Sequence, residues 1–261
     1  MIEDSTICRI LHISDIHAGS YNFNKCTYIY DEYLYNIIKE EHIDYLVCSG
    51  DLIYKGNSHN YSFVDNFFSK ITSLCDVIIV PGNHDICNNE KLFESFDRCA
   101  RRINDKIEYK FSKDLYCVYK TENVNFILTN SAYLGDHKYG QIDINKIDKI
   151  LKDIDNSNIK ILITHHPFLA DKNDGCSSVR NSREVLQYLA ENSIKVVFHG
   201  HQHMNSRFGY KFKNNIVDII GVRSLSLNDV NIPIGAQIVF ISNSDVHIEQ
   251  IDLSKDREVT W

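Results

Sequence analysis

Apolar residues are distributed along the chain in two alternating modes. Short runs dense in Ile, Leu, Val and Cys, of strand length, alternate with longer stretches where apolar positions recur every three or four residues. "CRILHIS" leads to Asp15 and is followed by "YIYDEYLYNIIKEEH", in which Ile29, Tyr30, Tyr33, Leu34 and Ile37 share one side of a helix. "IDYLVCSG" predicts a strand ending at Asp51, "YSFVDNFFSKITSL" a helix, and "DVIIVPG" a strand ending at Asn83. The pattern continues through strand "VNFILTN", helix "DINKIDKILKDI", strand "IKILITHH", helix "SREVLQYLAEN" and strand "IKVVFHGHQH". Strands that are apolar on both faces and joined by helical crossovers predict an α/β architecture.

After His203 the helical pattern stops. "SRFGYKF", "NIVDIIGV", "GAQIVFIS" and "DVHIEQID" read as successive strands with no helix between them. The expected organisation is one domain over residues 1–261 with two packed sheets. Its βα-alternating part runs to about residue 203 and a mainly β, more antiparallel closing part covers about 204–254.

Composition narrows this only a little. The chain is 43% hydrophobic with a formal net charge of −7, which excludes disorder and offers no global field for drawing in nucleic acid. No apolar run approaches a membrane span, so no membrane partner is expected. The start "MIEDSTICRILHISD" lacks the basic region and long apolar core of an export signal. Eight cysteines are scattered without a CxxC pair, as small buried hydrophobes in a reducing compartment would be, and a cytoplasmic location is the expectation. Arg98, Arg101 and Arg102 fall at helical spacing, read as a solvated face before a phosphate contact. A homo-oligomer is open.

The strongest regularity lies at the strand ends. Five apolar strands finish in a polar cluster: Asp15-Ile16-His17, Gly50-Asp51, Gly82-Asn83-His84-Asp85, His165-His166, and His199 through His203. In α/β sheets, ligands gather outside the carboxyl ends of strands, so the five ends are expected to converge. Carboxylates, an amide oxygen and imidazoles without thiolates form a donor set suited to Mn, Fe, Zn or Ni. In an extended strand end, residues two apart face the same way, which would bring Asp15 to His17 and His201 to His203. The number of donors suffices for two metals. His12, His42, His59, His137 and His247 match no cluster and receive no role.

In order, "DIH", "GD", "GNHD", "HHP" and "GHQH" resemble the calcineurin-like metallophosphoesterases, over residues 15–203. The resemblance implies a four-layer α/β sandwich, two mixed β-sheets flanked by helices, with two divalent metal ions at the strand ends. It assigns Asp15, His17 and His203 to one metal, Asn83, His165 and His201 to the other, and Asp51 to a bridge. His84 becomes the catalytic histidine that is not a ligand, with Asp85 orienting its ring. His166 is placed behind the ligands or facing substrate, and Tyr54, in "GDLIYKG", is a candidate to line the substrate cleft. His199 drops out as a strand end, and Gln202 becomes a spacer.

Two metals holding a bridging hydroxide suit in-line attack at phosphorus. With Asp15 and Asp51 the metal shell then carries about +1, which matches a phosphodiester monoanion. The leading expectation is therefore a phosphodiesterase acting on a cyclic nucleotide or similar small phosphodiester. "GDLIYKG" lacks the arginine that the serine/threonine phosphatases of the superfamily carry after their GD. A nuclease acting on DNA or RNA, and a nucleotide-sensing module with weak turnover, are the alternatives. The loops at 54–60, 86–100 and 168–182 are expected to set specificity.

Overall fold

The computed structural model describes residues 6–86, 90–170, 177–226 and 234–253. A five-stranded sheet has the order β11-β10-β1-β2-β3, made of Val246–Asp252, Gly235–Ser242, Thr6–Ile13, Tyr45–Cys48 and Asp76–Ile79. A six-stranded sheet has the order β4-β5-β6-β7-β9-β8, made of Tyr116–Lys120, Val124–Thr129, Ile159–Ile163, Ile194–His199, Asn215–Gly221 and Ser206–Phe212. Both sheets are mixed. β1, β2 and β3 run parallel, as do β5, β6, β7 and β9, while β10, β11, β4 and β8 supply the antiparallel pairs. The flanking helices complete the four layers expected from the resemblance.

Strand periodicity explains how the layers bind one another. In the second sheet Phe126, Leu128, Ile161, Ile163, Val196 and Phe198 join the apolar layer shared with the first sheet. The intervening Ile127, Leu162 and Val197 face outward and pack with residues of α5 (Ile144–Lys152) and α6 (Ser182–Glu191). Side chains alternate across a strand, so one apolar run serves two layers. Between the sheets, the Tyr45 and Phe126 rings sit 4.9 Å apart and the His12 and Phe198 rings 4.6 Å apart.

The closing strands are not a separate unit. β8 and β9 extend the second sheet, β10 and β11 extend the first, and β9 runs parallel to β7. The run of strands after His203 therefore finishes both sheets. α1 (Tyr21–Glu40) begins before the expected Tyr28, because the Ser20 hydroxyl accepts the Phe23 N–H as an N-cap. α2 (Tyr61–Ser69) follows the second strand end. Residues 83–86 form the single turn α3. The expected loop at 86–100 is largely a helix, α4 (Glu90–Ile103). Its stripe of Phe96, Cys99, Ala100 and Ile103 is buried at i, i+3, i+4, i+7 spacing, and Arg102 on the other side pairs with Asp65 of α2 at 2.6 Å. Arg98 and Arg101 bond within α4, to Ser95 and Asp97. Cys8, Cys48, Cys99 and Cys117 are buried free thiols, whereas nothing is described of Cys87 and Cys176. Among the described residues no helix is long and apolar enough to cross a membrane.

Two histidines without ligand roles are buried in the frame. Gln237 Nε2 donates to His12 Nδ1 at 2.9 Å, so the His12 proton sits on Nε2 and faces Ser49 Oγ at 2.9 Å. His199 lies at the end of β7, where burial pushes its imidazole down to about 4. A histidine that is neutral when folded but titrates near 6.5 when unfolded stabilises the fold fully above that value. The contribution is lost as pH falls from about 6.5 to about 4. For His199 the full loss is roughly 3 kcal/mol. Urea unfolding of the metal-free protein at stepped pH should therefore show a falling midpoint across that window, and His199→Leu should flatten the fall.

Candidate metal centre

The expected clusters leave the carboxyl ends of β1, β2, β3, β6 and β7 and meet in one place. Asp15, His17, Asp51, Asn83 and His165 are all buried, and His201 and His203 are half-buried. The seven side chains fall into two groups. In the first, His203 Nε2 lies 3.2 Å from Asp15 Oδ1 and 3.5 Å from His17 Nε2. In the second, Asn83 Oδ1 lies 2.9 Å from His165 Nε2 and 3.0 Å from His201 Nδ1. Asp51 stands between them, its Oδ2 3.9 Å from His17 Nε2 and 3.5 Å from His165 Nε2. Its other oxygen, Oδ1, accepts the His84 backbone N–H at 2.8 Å.

The backbone that delivers these groups is not extended. Asp15, His17, Asp51, His201 and His203 have φ of 54°, 48°, 53°, 69° and 54°. The expected two-residue strand alternation is thus corrected. Tight left-handed turns past the strand ends bring Asp15 to His17, and they send His201 and His203 to different groups. Asp and His tolerate this region better than most residues, yet each such residue costs on the order of 1–3 kcal/mol. Neighbouring contacts hold the turns. The N–H groups of Asp15, His17 and Ala18 donate to the carbonyls of Gly50, Asp51 and Leu52, and the Ser224 hydroxyl donates to the Asp15 carbonyl. Gly50, at φ +105°, admits the His165 ring, and a Cβ at Gly82 would run into Asp51 Oδ1.

The donor chemistry calls for cations. His165 Nδ1 donates to the Ser49 carbonyl at 2.9 Å, so a bare Nε2 lone pair faces the Asn83 and Asp51 oxygens and His201 Nδ1. Burial pushes His17 down to about 3 and His165 down to about 4, which keeps both imidazoles neutral and their lone pairs available. Burial, then the Asp15 and Asp85 carboxylates, pushes Asp51 well above the usual carboxylate range. For Asp15, burial works upward, but the neighbouring histidines, His203 first and then His165 and His17, together hold the group well below that range. Asp15 Oδ1 is fully buried and faces His203 Nε2 at 3.2 Å. Acceptors packed against acceptors repel one another, and a divalent cation in each group reverses that sign. The residues fit two metal ions.

Around the two groups, several expectations change. The Asp85 carboxylate accepts N–H bonds from Leu52, Ile53 and Gly82, at 3.1, 3.0 and 2.8 Å. It ties the turn after Asp51 to the turn before Asn83 and does not orient the His84 ring. That ring is fixed instead by the Lys55 N–H, which donates to His84 Nδ1 at 3.2 Å and leaves the neutral ring's proton on Nε2. His166 is 0% exposed, so it offers no surface to a substrate. It packs under His201 at a ring distance of 4.7 Å and bonds through Nδ1 to Ser131 Oγ at 2.9 Å. Gln202 is more than a spacer, since its side chain donates to the Leu169 carbonyl at 3.0 Å. Tyr54, half-buried, lies nearly parallel to the His84 ring at 6.1 Å. Of the 168–182 loop, residues 171–176 lie outside the described residues.

Sequence reasoning missed three contributors. Ser49 and Ser131 position ligand-side imidazoles through a carbonyl and a hydroxyl, groups that carry no sequence signal. His137, on the loop after β5, has its ring 6.1 Å from that of His84 and is exposed. An isolated histidine in "GDHKYG" gave no pattern to read.

Known proteins place this geometry in context. A curated relative, the uncharacterized metallophosphoesterase-like protein YydB of Bacillus subtilis, is 26% identical over 167 residues. That stretch is 50% of this chain and only 34% of the relative's length. Among solved structures, a dimetal phosphatase from Danio rerio superposes with a TM-score of 0.65 at 14% identity, over 95% of this chain and 97% of that one. The purple acid phosphatase PPD1 from yellow lupin seeds gives 0.62 at 14% identity, over 96% and 52%. GAP50, the anchor in the inner membrane complex of Plasmodium, gives 0.60 at 12% identity, over 97% and 87%. At these identities the structures speak for the fold alone. The family model for calcineurin-like phosphoesterases matches residues 8–205, which takes in all five strand-end clusters, and the chain belongs to that family.

Proposed function

We propose that the protein is a phosphodiesterase dependent on two divalent metal ions, hydrolysing a cyclic nucleotide or a similar small phosphodiester. The carrying observation is the position of Asp51 Oδ2 between His17 on one side and His165 on the other. In this reading Asp15, His17 and His203 hold one ion, Asn83, His165 and His201 the other, and Asp51 is shared. Bound there, the ions supply Lewis acidity for the phosphoryl oxygens and a lowered pKa for the attacking water.

The chain's own residues do the positioning. The His84 N–H pins Asp51 Oδ1 and so keeps Oδ2 turned to both groups. The His84 ring, half-buried and 4.9 Å from the His17 ring, has its Nδ1 occupied by the Lys55 N–H. That bond supports a role for Nε2–H as a hydrogen-bond donor to the oxygen on which charge grows, the kind of stabilisation that acts only in the transition state. Asp85, by joining two turns, holds the Asp51 and Asn83 backbones at fixed separation. His166 supports His201 from below.

Charge favours a diester. Asp15 and Asp51 bring −2 against +4 from two divalent ions, and a −1 nucleophile leaves about +1, which suits a singly charged diester better than a dianionic monoester. The Danio rerio relative in structure is a dimetal phosphatase, so a monoesterase is the competing outcome.

Bis(p-nitrophenyl) phosphate and p-nitrophenyl phosphate, assayed with Mn²⁺, decide between them. The expected result is a kcat/KM at least about tenfold higher for the diester, abolished by chelator. Preference for the monoester would make the protein a phosphatase, and metal-independent silence on both would make it a binding module. His84→Ala should retain two metals by elemental analysis while kcat falls about 10²–10⁴-fold. Undiminished turnover in that variant would remove His84 from the chemistry.

A further inference from the structure

We propose that His137 is a substrate-binding residue that holds the leaving side of the ester, beyond the reacting phosphoryl group. The proposal rests on the phosphoesterase reading above and adds a group that the five sequence clusters do not contain. His137 stands outside every set of three or more metal-ligating side chains found among the described residues, although His84 belongs to one of them. Its ring is edge-on to that of His84 at 6.1 Å, and the His84 ring in turn is 4.9 Å from that of His17. The order from the ligands outward is therefore His17, His84, His137. A phosphoryl group on the metals with an ester oxygen at His84 directs its substituent toward the outermost of these three rings.

The loop that carries His137 is built to hold it still. It leaves the carboxyl end of β5, beside β6 and its His165, on the edge where the other clusters gather. Asp136 Oδ1 accepts the N–H groups of Lys138 and Tyr139 at 2.8 and 3.1 Å, which folds the chain tightly around residue 137. Asp136 Oδ2 pairs with Arg180 at 2.5 Å, and the Arg180 guanidinium lies 5.4 Å from the centre of the Tyr139 ring. Beyond the tip, Gln141 N–H donates to the Ser131 carbonyl, and Gly140 exchanges backbone bonds with Ser178 and Arg180. A loop backbone tied at so many points places the exposed His137 side chain in advance, which lowers the ordering cost of using it in binding. The substrate class is a phosphoester whose leaving substituent offers an acceptor a few ångströms from phosphorus.

The test uses the manganese-loaded full chain, with bis(p-nitrophenyl) phosphate as substrate, p-nitrophenyl phosphate as an ester ligand whose nitro oxygens are the acceptor, and inorganic phosphate as a ligand with no substituent. His137→Ala should raise KM about tenfold, the worth of one hydrogen bond to a charged or polarised oxygen, with kcat within about twofold. p-Nitrophenyl phosphate binding by calorimetry should weaken by a similar factor, while phosphate affinity, metal content and thermal midpoint stay unchanged. His137→Gln, which keeps a donor, should recover part of the loss. Unchanged ester affinity in His137→Ala overturns the proposal. An equal loss for inorganic phosphate also overturns it, because His137 would then touch the reacting group. If the wild type hydrolyses neither ester, the phosphodiesterase reading falls while the calorimetric contrast still decides the role of His137.

Discussion

A carboxylate buried between two sets of imidazoles is the constraint on which the rest of the structure depends. Asp51 is 2% exposed, has one oxygen tied to the His84 N–H and the other set between His17 and His165. Burial disfavours its charge, and so do the nearby Asp15 and Asp85 carboxylates. An arrangement of this kind is costly without cations and favourable with them. The fold serves to hold that arrangement. Both sheets bring their parallel strand ends to one edge, and strained left-handed residues carry five of the seven donors the last few ångströms. The inter-sheet packing of Phe126, Phe198 and their neighbours therefore bears directly on the site, because Asp15, Asp51 and Asn83 come from one sheet and His165, His201 and His203 from the other.

Around the donors, positions are fixed mainly by backbone groups. The Ser49 carbonyl sets the His165 tautomer, the Lys55 N–H sets that of His84, and three N–H groups hold the Asp85 carboxylate. Backbone groups cannot rotate away, so the imidazole lone pairs are aimed before any ligand arrives. This rigidity is the kind of preorganisation that electrostatic catalysis requires.

The same feature explains what was legible in the sequence. The strand ends were readable because apolar runs stop abruptly at Asp15, Asp51, Asn83, His165 and His199, and a strand end in an α/β sheet is a place with a known neighbourhood. The sorting of donors into two groups came from family resemblance, and strand alternation was the wrong physical reason for bringing the donors together. Local φ near +50° is set by contacts such as His17 N–H to the Asp51 carbonyl, which a linear pattern does not carry. Asp85 was misread and His166 was left between two roles for a similar reason, since a polar residue beside a ligand can face the site or brace it, and only its partners tell which. Helix α4 hid behind the charges of "EKLFESFDRCARRI", and β4 was too short and too half-buried to stand out. His137 carried no signal, because its meaning lies in the distance to a histidine far away in sequence.

The central claim is that two ligand groups share Asp51, and the most direct measurement is an anomalous difference map from crystals grown with Mn²⁺. Two peaks about 3.5–4 Å apart, one against Asp15, His17 and His203 and one against Asn83, His165 and His201, with Asp51 touching both, is the result expected. A single peak, or two peaks with Asp51 bound to only one of them, would contradict it.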